Sequence, residues 1–215
     1  MKEKIISVIN QKGGVGKTTT VINLAAGLSQ NNKKILVIDL DPQGNATTGL
    51  GLLNNSQSSN SIYEVLSGSK KIDDVISKTK FSNLDIITSN VDLSGLEVET
   101  ADDGRRAYIL KEKLAAYLND SRGHYDYVLI DCPPSLSLLT VMALVASHSL
   151  LVPLQTEFFA LEGITQLIKT IDRIKVGLNP NLEIRGILLT MFDKRNRLSS
   201  DCLLYTSDAA DDTRS

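Results

Sequence analysis

Two lysines, Lys12 and Lys17, bracket a cluster of glycines in INQKGGVGKTTT, residues 9–20. Glycines at this density let the backbone curl until successive N–H groups converge, and such a convergence binds phosphate oxygens. Lys12-Gly13-Gly14-Val15-Gly16-Lys17-Thr18 follows the apolar run KIISVIN (4–10) and precedes a helix-like segment. That is the strand–turn–helix context of a phosphate-binding loop. The helix adds the partial positive charge of its N-terminus. In such a loop Lys17 neutralises the β- and γ-phosphates, and Thr18 offers a hydroxyl to Mg²⁺. The strict spacing G-x-x-x-x-G-K-[ST] is not met, because residue 11 is Gln. The pattern also leaves Lys12 without a task.

Three acids stand where such a loop needs them. YDYVLID (125–131) is an apolar run that ends in Asp131, and Cys132-Pro133-Pro134 follows. An acid at the carboxyl end of a strand can hold Mg²⁺, usually through water, because that ion keeps part of its hydration shell. The prolines stiffen the segment beyond it. VIDLDPQGNAT (37–47) carries Asp39 and Asp41, which share a face if the strand runs through both. One of them could orient metal ligands and the other the attacking water. Equally, Asp-Pro is a common way to start a turn.

The elements that position these residues alternate along the chain. Apolar runs at 4–10, 34–40, 84–89, 125–131, 149–155 and 182–192 read as strands. Helical patterns cover 18–30, 105–119, 136–146 and 160–176. Residues 41–60 read as a loop rich in Gly, Asn and Ser, and 61–80 as short helices. Apolar strands alternating with helices predict an α/β fold with a mostly parallel sheet and helices on both faces.

The bulk composition excludes several classes. Apolar residues make up 42% and charged residues 22%, ordinary for a soluble globular domain. No apolar run reaches the roughly 18–20 residues of a membrane span. MKEKIISVIN lacks the features of a signal peptide, so the expectation is cytoplasmic. Cys132 and Cys202 make neither a disulfide framework nor a metal cluster, and His124 and His148 show no ligand spacing. A net charge of −2 gives no global attraction to nucleic acid.

KGGVGKTT, together with DLDPQGNATTGLG, DLSGLEVE (92–99), YDYVLIDCPPSL, LVPLQTEFFALEG (151–163) and LLTMFDKR (188–195), resembles the ParA/Soj-type partition ATPases. These belong to the deviant Walker A branch of P-loop NTPases. KGGVGKTT alone marks only the branch, which also holds MinD-like proteins; the other motifs narrow it. The resemblance implies an ATPase with ATP and Mg²⁺ as cofactors. Lys12 matches the signature lysine, which reaches across a homodimer to the neighbour's ATP. Gly13, Gly14, Val15, Gly16, Lys17 and Thr18 match the nucleotide loop, and Thr19 follows at the α-phosphate. Asp41 matches the residue that positions the attacking water and Asp131 the Walker B acid, which leaves Asp39 on the metal side with Thr18 and Asp131. Met191 to Asp193 lie where the family contacts adenine, so Met191 and Asp193 are expected nucleotide contacts. Lys194, Arg195 and Arg197 lie where the family binds DNA nonspecifically, although charged residues after a strand are commonly just solvated.

The resemblance further implies dimerisation on ATP, nucleoid association, a ParB-type partner that stimulates slow hydrolysis, and no stable membrane association. The competing expectations are a MinD-like membrane-surface positioning ATPase and a nonfunctional truncated fragment. After FDKRNRLS the chain departs from the family pattern, which continues with further helix and strand. DCLLYTSDAADDTRS (201–215) has four acids and one base, no helical or strand period after Tyr205, and the look of translated sequencing-adapter read-through. The expected organisation is an ATPase domain over 1–200, incomplete at its C-terminus, and a non-native or disordered tail over 201–215.

Overall fold

In the computed structural model, the structure describes residues 4–52, 59–119, 125–156, 160–193 and 195. Among them a seven-stranded sheet runs in the order β3-β4-β2-β5-β1-β6-β7. The strands are β1 (Lys4–Val8), β2 (Ile35–Asp39), β3 (Ile76–Lys78), β4 (Leu84–Ile87), β5 (Tyr127–Asp131), β6 (Ser149–Gln155) and β7 (Glu183–Thr190). Every pairing is parallel except that of β3 with β4.

The helices are α1 (Lys17–Gln30), α2 (Asn45–Gly49), α3 (Ile62–Leu66), α4 (Leu96–Glu99), α5 (Ile109–Leu118), α6 (Leu138–Ala146) and α7 (Ala160–Gly177). They cover both faces of the sheet, and β2 shows how. Its alternate residues Leu36 and Ile38 pack with Leu110, Leu114 and Met142 from α5 and α6. Ile35 and Val37, one residue out of phase, pack with Val21 and Ala25 of α1. A strand buried on both faces must be apolar at every position, so the parallel strands read as unbroken apolar runs. α7 joins the α6 side through Leu167, Ile171 and Ile174, which meet Leu150 and Val152 of β6.

Three expectations need correction. The segment 61–80, read as short helices, forms α3, a 3₁₀ turn over Ile72–Asp74 and the edge strand β3. Ile-Ser-Lys is too short to show alternation, and it becomes a strand only because β4 is there to pair with it. The segment 41–60, read as loop, contains the single-turn helix α2. The strand 182–192 stops at Thr190, after which Met191 takes a φ of 53° and the chain leaves the sheet.

Candidate functional site

The phosphate loop joins β1 to α1, and its shape depends on two glycines. Gly14 has a φ of 75° and Gly16 a φ of 89°, the left-handed region that a side chain disfavours. Long-range hydrogen bonds fix the loop in place. Asn10 is buried; its amide donates to the Pro153 carbonyl of β6 at 2.7 Å, and its Oδ1 accepts the Lys12 N–H at 3.0 Å. Thr190, at the end of β7, donates its hydroxyl to the Val15 carbonyl at 2.9 Å, and its methyl group stands 3.6 Å from where a Cβ on Gly16 would lie.

Lys17 is buried, and its Nζ donates to the Lys12 carbonyl at 2.9 Å. Burial lowers its pKa; the charges of Asp131 and Asp41 act the other way. Lys12 is exposed on the outer side of the same turn, as are Gly13, Gly14 and Thr19. Val15 is buried and Thr18 half-buried.

Strand order brings the acids to this loop. β5 lies between β1 and β2, so Asp131 sits opposite Val8 on one side and Asp39 on the other. The two carboxylates are both fully buried, yet their surroundings differ. Asp39 is satisfied: its Oδ1 accepts the Asp41 N–H at 3.1 Å, and its Oδ2 accepts both the N–H and the hydroxyl of Thr47 at 2.8 Å. Burial lifts its pKa to about 6 against the pull of those donors. Asp131 is orphaned. Neither oxygen completes a hydrogen bond, although the Thr18 hydroxyl is near enough to lower its pKa. Burial foremost, then the Asp39 charge, pushes Asp131 up to about 7, with Thr18 and Lys17 opposing.

A buried carboxylate without donors is unfavourable unless a cation compensates its charge. Asp131 and the neighbouring Thr18 hydroxyl are thus the residues that fit a magnesium ion. Asp39, expected on the metal side, instead braces the start of α2 through Thr47. The premise that put Asp39 and Asp41 on one strand face also changes, because β2 ends at Asp39.

Asp41 follows β2 in a tight turn. It is buried; its Oδ1 accepts the Gln43 N–H at 3.0 Å, and its carbonyl accepts the Ser89 hydroxyl at 2.6 Å and the Gly44 N–H at 2.8 Å. Its charge acts on both Lys17 and Asp131, so turn chemistry and membership of the charged cluster hold together.

The segment beyond β7 is different in kind. Met191 is 65% exposed. Asp193 is half-buried and engaged by Arg195, whose Nε, Nη2 and backbone N–H donate to it at 2.8–3.0 Å. That pair holds the Asp193 carboxyl below its usual range. The expected adenine contact and one expected DNA contact therefore face each other. Lys194 and Arg197 lie outside the described residues, as do His124 and the segment 201–215. No helix among the described residues is long and apolar enough to cross a membrane.

Sequence reasoning did not find Asn10, Thr47, Ser89 or Thr190. Asn10, Thr47 and Thr190 fall inside motifs quoted above, but each acts through a contact whose partner lies elsewhere in the chain.

Comparison with known proteins adds a family. The AAA_31 family model, described as an AAA domain, matches residues 3–184. The chromosome partitioning protein ParA of Caulobacter vibrioides is 50% identical over 91% of this chain and 72% of its own length. The sporulation initiation inhibitor protein Soj of Bacillus subtilis is 46% identical over 91% of this chain and 75% of its own. Among solved structures, cobyrinic acid a,c-diamide synthase from Mycobacterium smegmatis with bound ADP and magnesium superposes with a TM-score of 0.88. It is 38% identical and covers 96% of this chain and 82% of its own.

Proposed function

The chain belongs to the ParA/Soj family of partition ATPases, and from that premise we propose that it is an Mg²⁺-dependent ATPase that dimerises on ATP to act in chromosome or plasmid partitioning. The observation that carries the chemistry is the orphaned, buried carboxylate of Asp131 beside Lys17 and Thr18. The nucleotide and magnesium held by the Mycobacterium smegmatis structure support ATP and Mg²⁺ as the groups this site takes. That protein's name points to amide chemistry, but the ParA and Soj relatives share more identity with this chain and favour partitioning.

In this reading Asp131 and Thr18 hold the ion, whose charge offsets that of the phosphates and of the leaving group. Lys17 leaves the Lys12 carbonyl and turns to the β- and γ-phosphates. The loop N–H groups of Gly13, Gly14, Val15 and Gly16 cradle the phosphates, and Thr19 stands at the α-phosphate. Asp41 orients the attacking water, its backbone fixed by Ser89 and Gly44. Lys12 sits on the exposed side of the loop and reaches the nucleotide of a second copy, so a lone subunit turns over slowly. Met191 and Asp193 contact the base. Arg195, with Lys194 and Arg197, contacts DNA phosphates without regard to sequence, and a ParB-type partner speeds hydrolysis.

The test separates the two roles given to Lys12 and Asp41. Lys12→Ala abolishes ATP-dependent dimerisation, read by light scattering, and with it hydrolysis. Asp41→Ala dimerises on ATP but does not turn over. Normal dimerisation and hydrolysis in Lys12→Ala would sink the cross-subunit role.

A further inference from the structure

The edge of the sheet opposite the phosphate loop carries a cavity of about 470 Å³. Its walls come from the turn between β3 and β4, from Lys34 just before β2, and from Tyr117 and Tyr125. These residues lie at the starts of β2, β4 and β5, whereas Asp39 and Asp131 lie at strand ends. A five-residue strand separates the two edges by roughly 15 Å. The cavity is therefore separate from the nucleotide site.

Among the described residues three lysines line it, Lys34, Lys78 and Lys80, against one acid, Asp85. Asp85 is buried and already engaged: its Oδ2 accepts from Lys78 Nζ at 2.7 Å and from the Tyr125 hydroxyl at 2.8 Å. No carboxylate among the described residues pairs with the ammonium of Lys34 or Lys80. Asp126, next to the cavity, accepts the backbone N–H of Lys34 at 2.8 Å. The lining thus concentrates positive charge in a chain whose net charge is −2. Like charges around one hollow repel, and an anion relieves that repulsion. The hollow is also aromatic. The rings of Tyr117 and Tyr125 lie 6.5 Å apart, and Phe81 is 40% exposed at the rim.

We propose that this cavity binds a small phosphomonoester carrying an aromatic ring. Such a dianion, of roughly −1.5 to −2 charge at pH 7, meets the ammonium groups while the ring lies against the half-buried Tyr125, backed by the buried Tyr117, and against Phe81. The volume suits a small ligand, and concavity favours one over duplex DNA, which needs an open row of cations.

The experiment titrates phenyl phosphate calorimetrically into the protein, with and without saturating ADP and Mg²⁺. Saturable binding of one molecule per chain is expected in both conditions. Lys34→Ala/Lys80→Ala, which changes two exposed side chains, should weaken it by about tenfold or more without moving the Tm. Inorganic phosphate should bind more weakly, and phenol not at all. Loss of binding on adding ADP would place the phosphate in the nucleotide loop and overturn the proposal. Equal affinity in the double variant, or no saturation by about 10 mM, would overturn it too. So would a double variant that loses affinity only for duplex DNA, which makes the lysines a nucleic-acid surface.

Discussion

β5 ends in Asp131, and the chain beyond β7 reaches Asp193 three residues after the strand stops. Both acids belong to the region expected to handle nucleotide, but they stand in opposite conditions. Asp131 is fully buried with neither oxygen in a completed hydrogen bond; Asp193 is half-buried and held by three donors of Arg195. The first arrangement is unstable without a ligand, and the second is complete without one. A buried charge left unmet is therefore the stronger mark of a binding site. An exposed pair of this kind contributes little to stability and constrains a ligand little.

The comparison breaks first, if it breaks, at Asp131. Asp131→Ala should lower the affinity for ATP by about 100-fold in the presence of Mg²⁺ and much less in EDTA, measured by calorimetry. An equal loss in both buffers would remove the metal from the explanation.

A second prediction concerns stability without nucleotide. The folded-state pKa values of Asp39 and Asp131 are raised, to about 6 and about 7. A raised carboxyl binds a proton in the folded chain that the unfolded chain has released. Stability should therefore fall as pH rises from about 4 to 7 and stay low above that window. Asp131→Asn, which removes the buried charge, should raise the nucleotide-free Tm by about 5 °C at pH 8 and flatten this dependence. The same variant should lose the Mg²⁺-dependent stabilisation by ADP.

Thr190 stands between the two regions, since its hydroxyl ties the end of β7 to the Val15 carbonyl. Thr190→Val leaves that carbonyl without its donor and should raise the KM for ATP by about fivefold, while Thr190→Ser restores it. The smallest effect is expected at the exposed pair. Arg195→Ala should move the Tm by less than about 1 °C. If Arg195 contacts DNA, the same change should lower the salt slope of binding by about 1.

The parts of the site that sequence made legible are those encoded by local chemistry. Glycines at 13, 14 and 16 with Lys17 define a loop whatever surrounds it, and an apolar run ending in an acid places Asp131 at the edge of the sheet. The sheet and its two covered faces were legible for the same reason, since strands buried on both sides are apolar throughout. What escaped depends on distant parts of the chain. Asn10 grips Pro153 and Thr190 grips Val15, contacts spanning 143 and 175 positions. Nothing in the neighbouring residues announces such a partner. The contact of Asp39 with Thr47 escaped for a subtler reason. The spacing of Asp39 from Asp41 suggested a shared strand face, but the chain turns after Asp39, and Thr47 takes up the carboxylate.

One further consequence lies in β3. A row of unpaired amide groups along a sheet border is a template for other chains, and long flat borders recruit copies into fibres. Here that side of the sheet closes with three residues running against the rest, the last of them a lysine. So short a border offers an incoming strand few bonds, and the Lys78 ammonium must be desolvated to use them. The sheet is thereby protected on this side from open-ended growth.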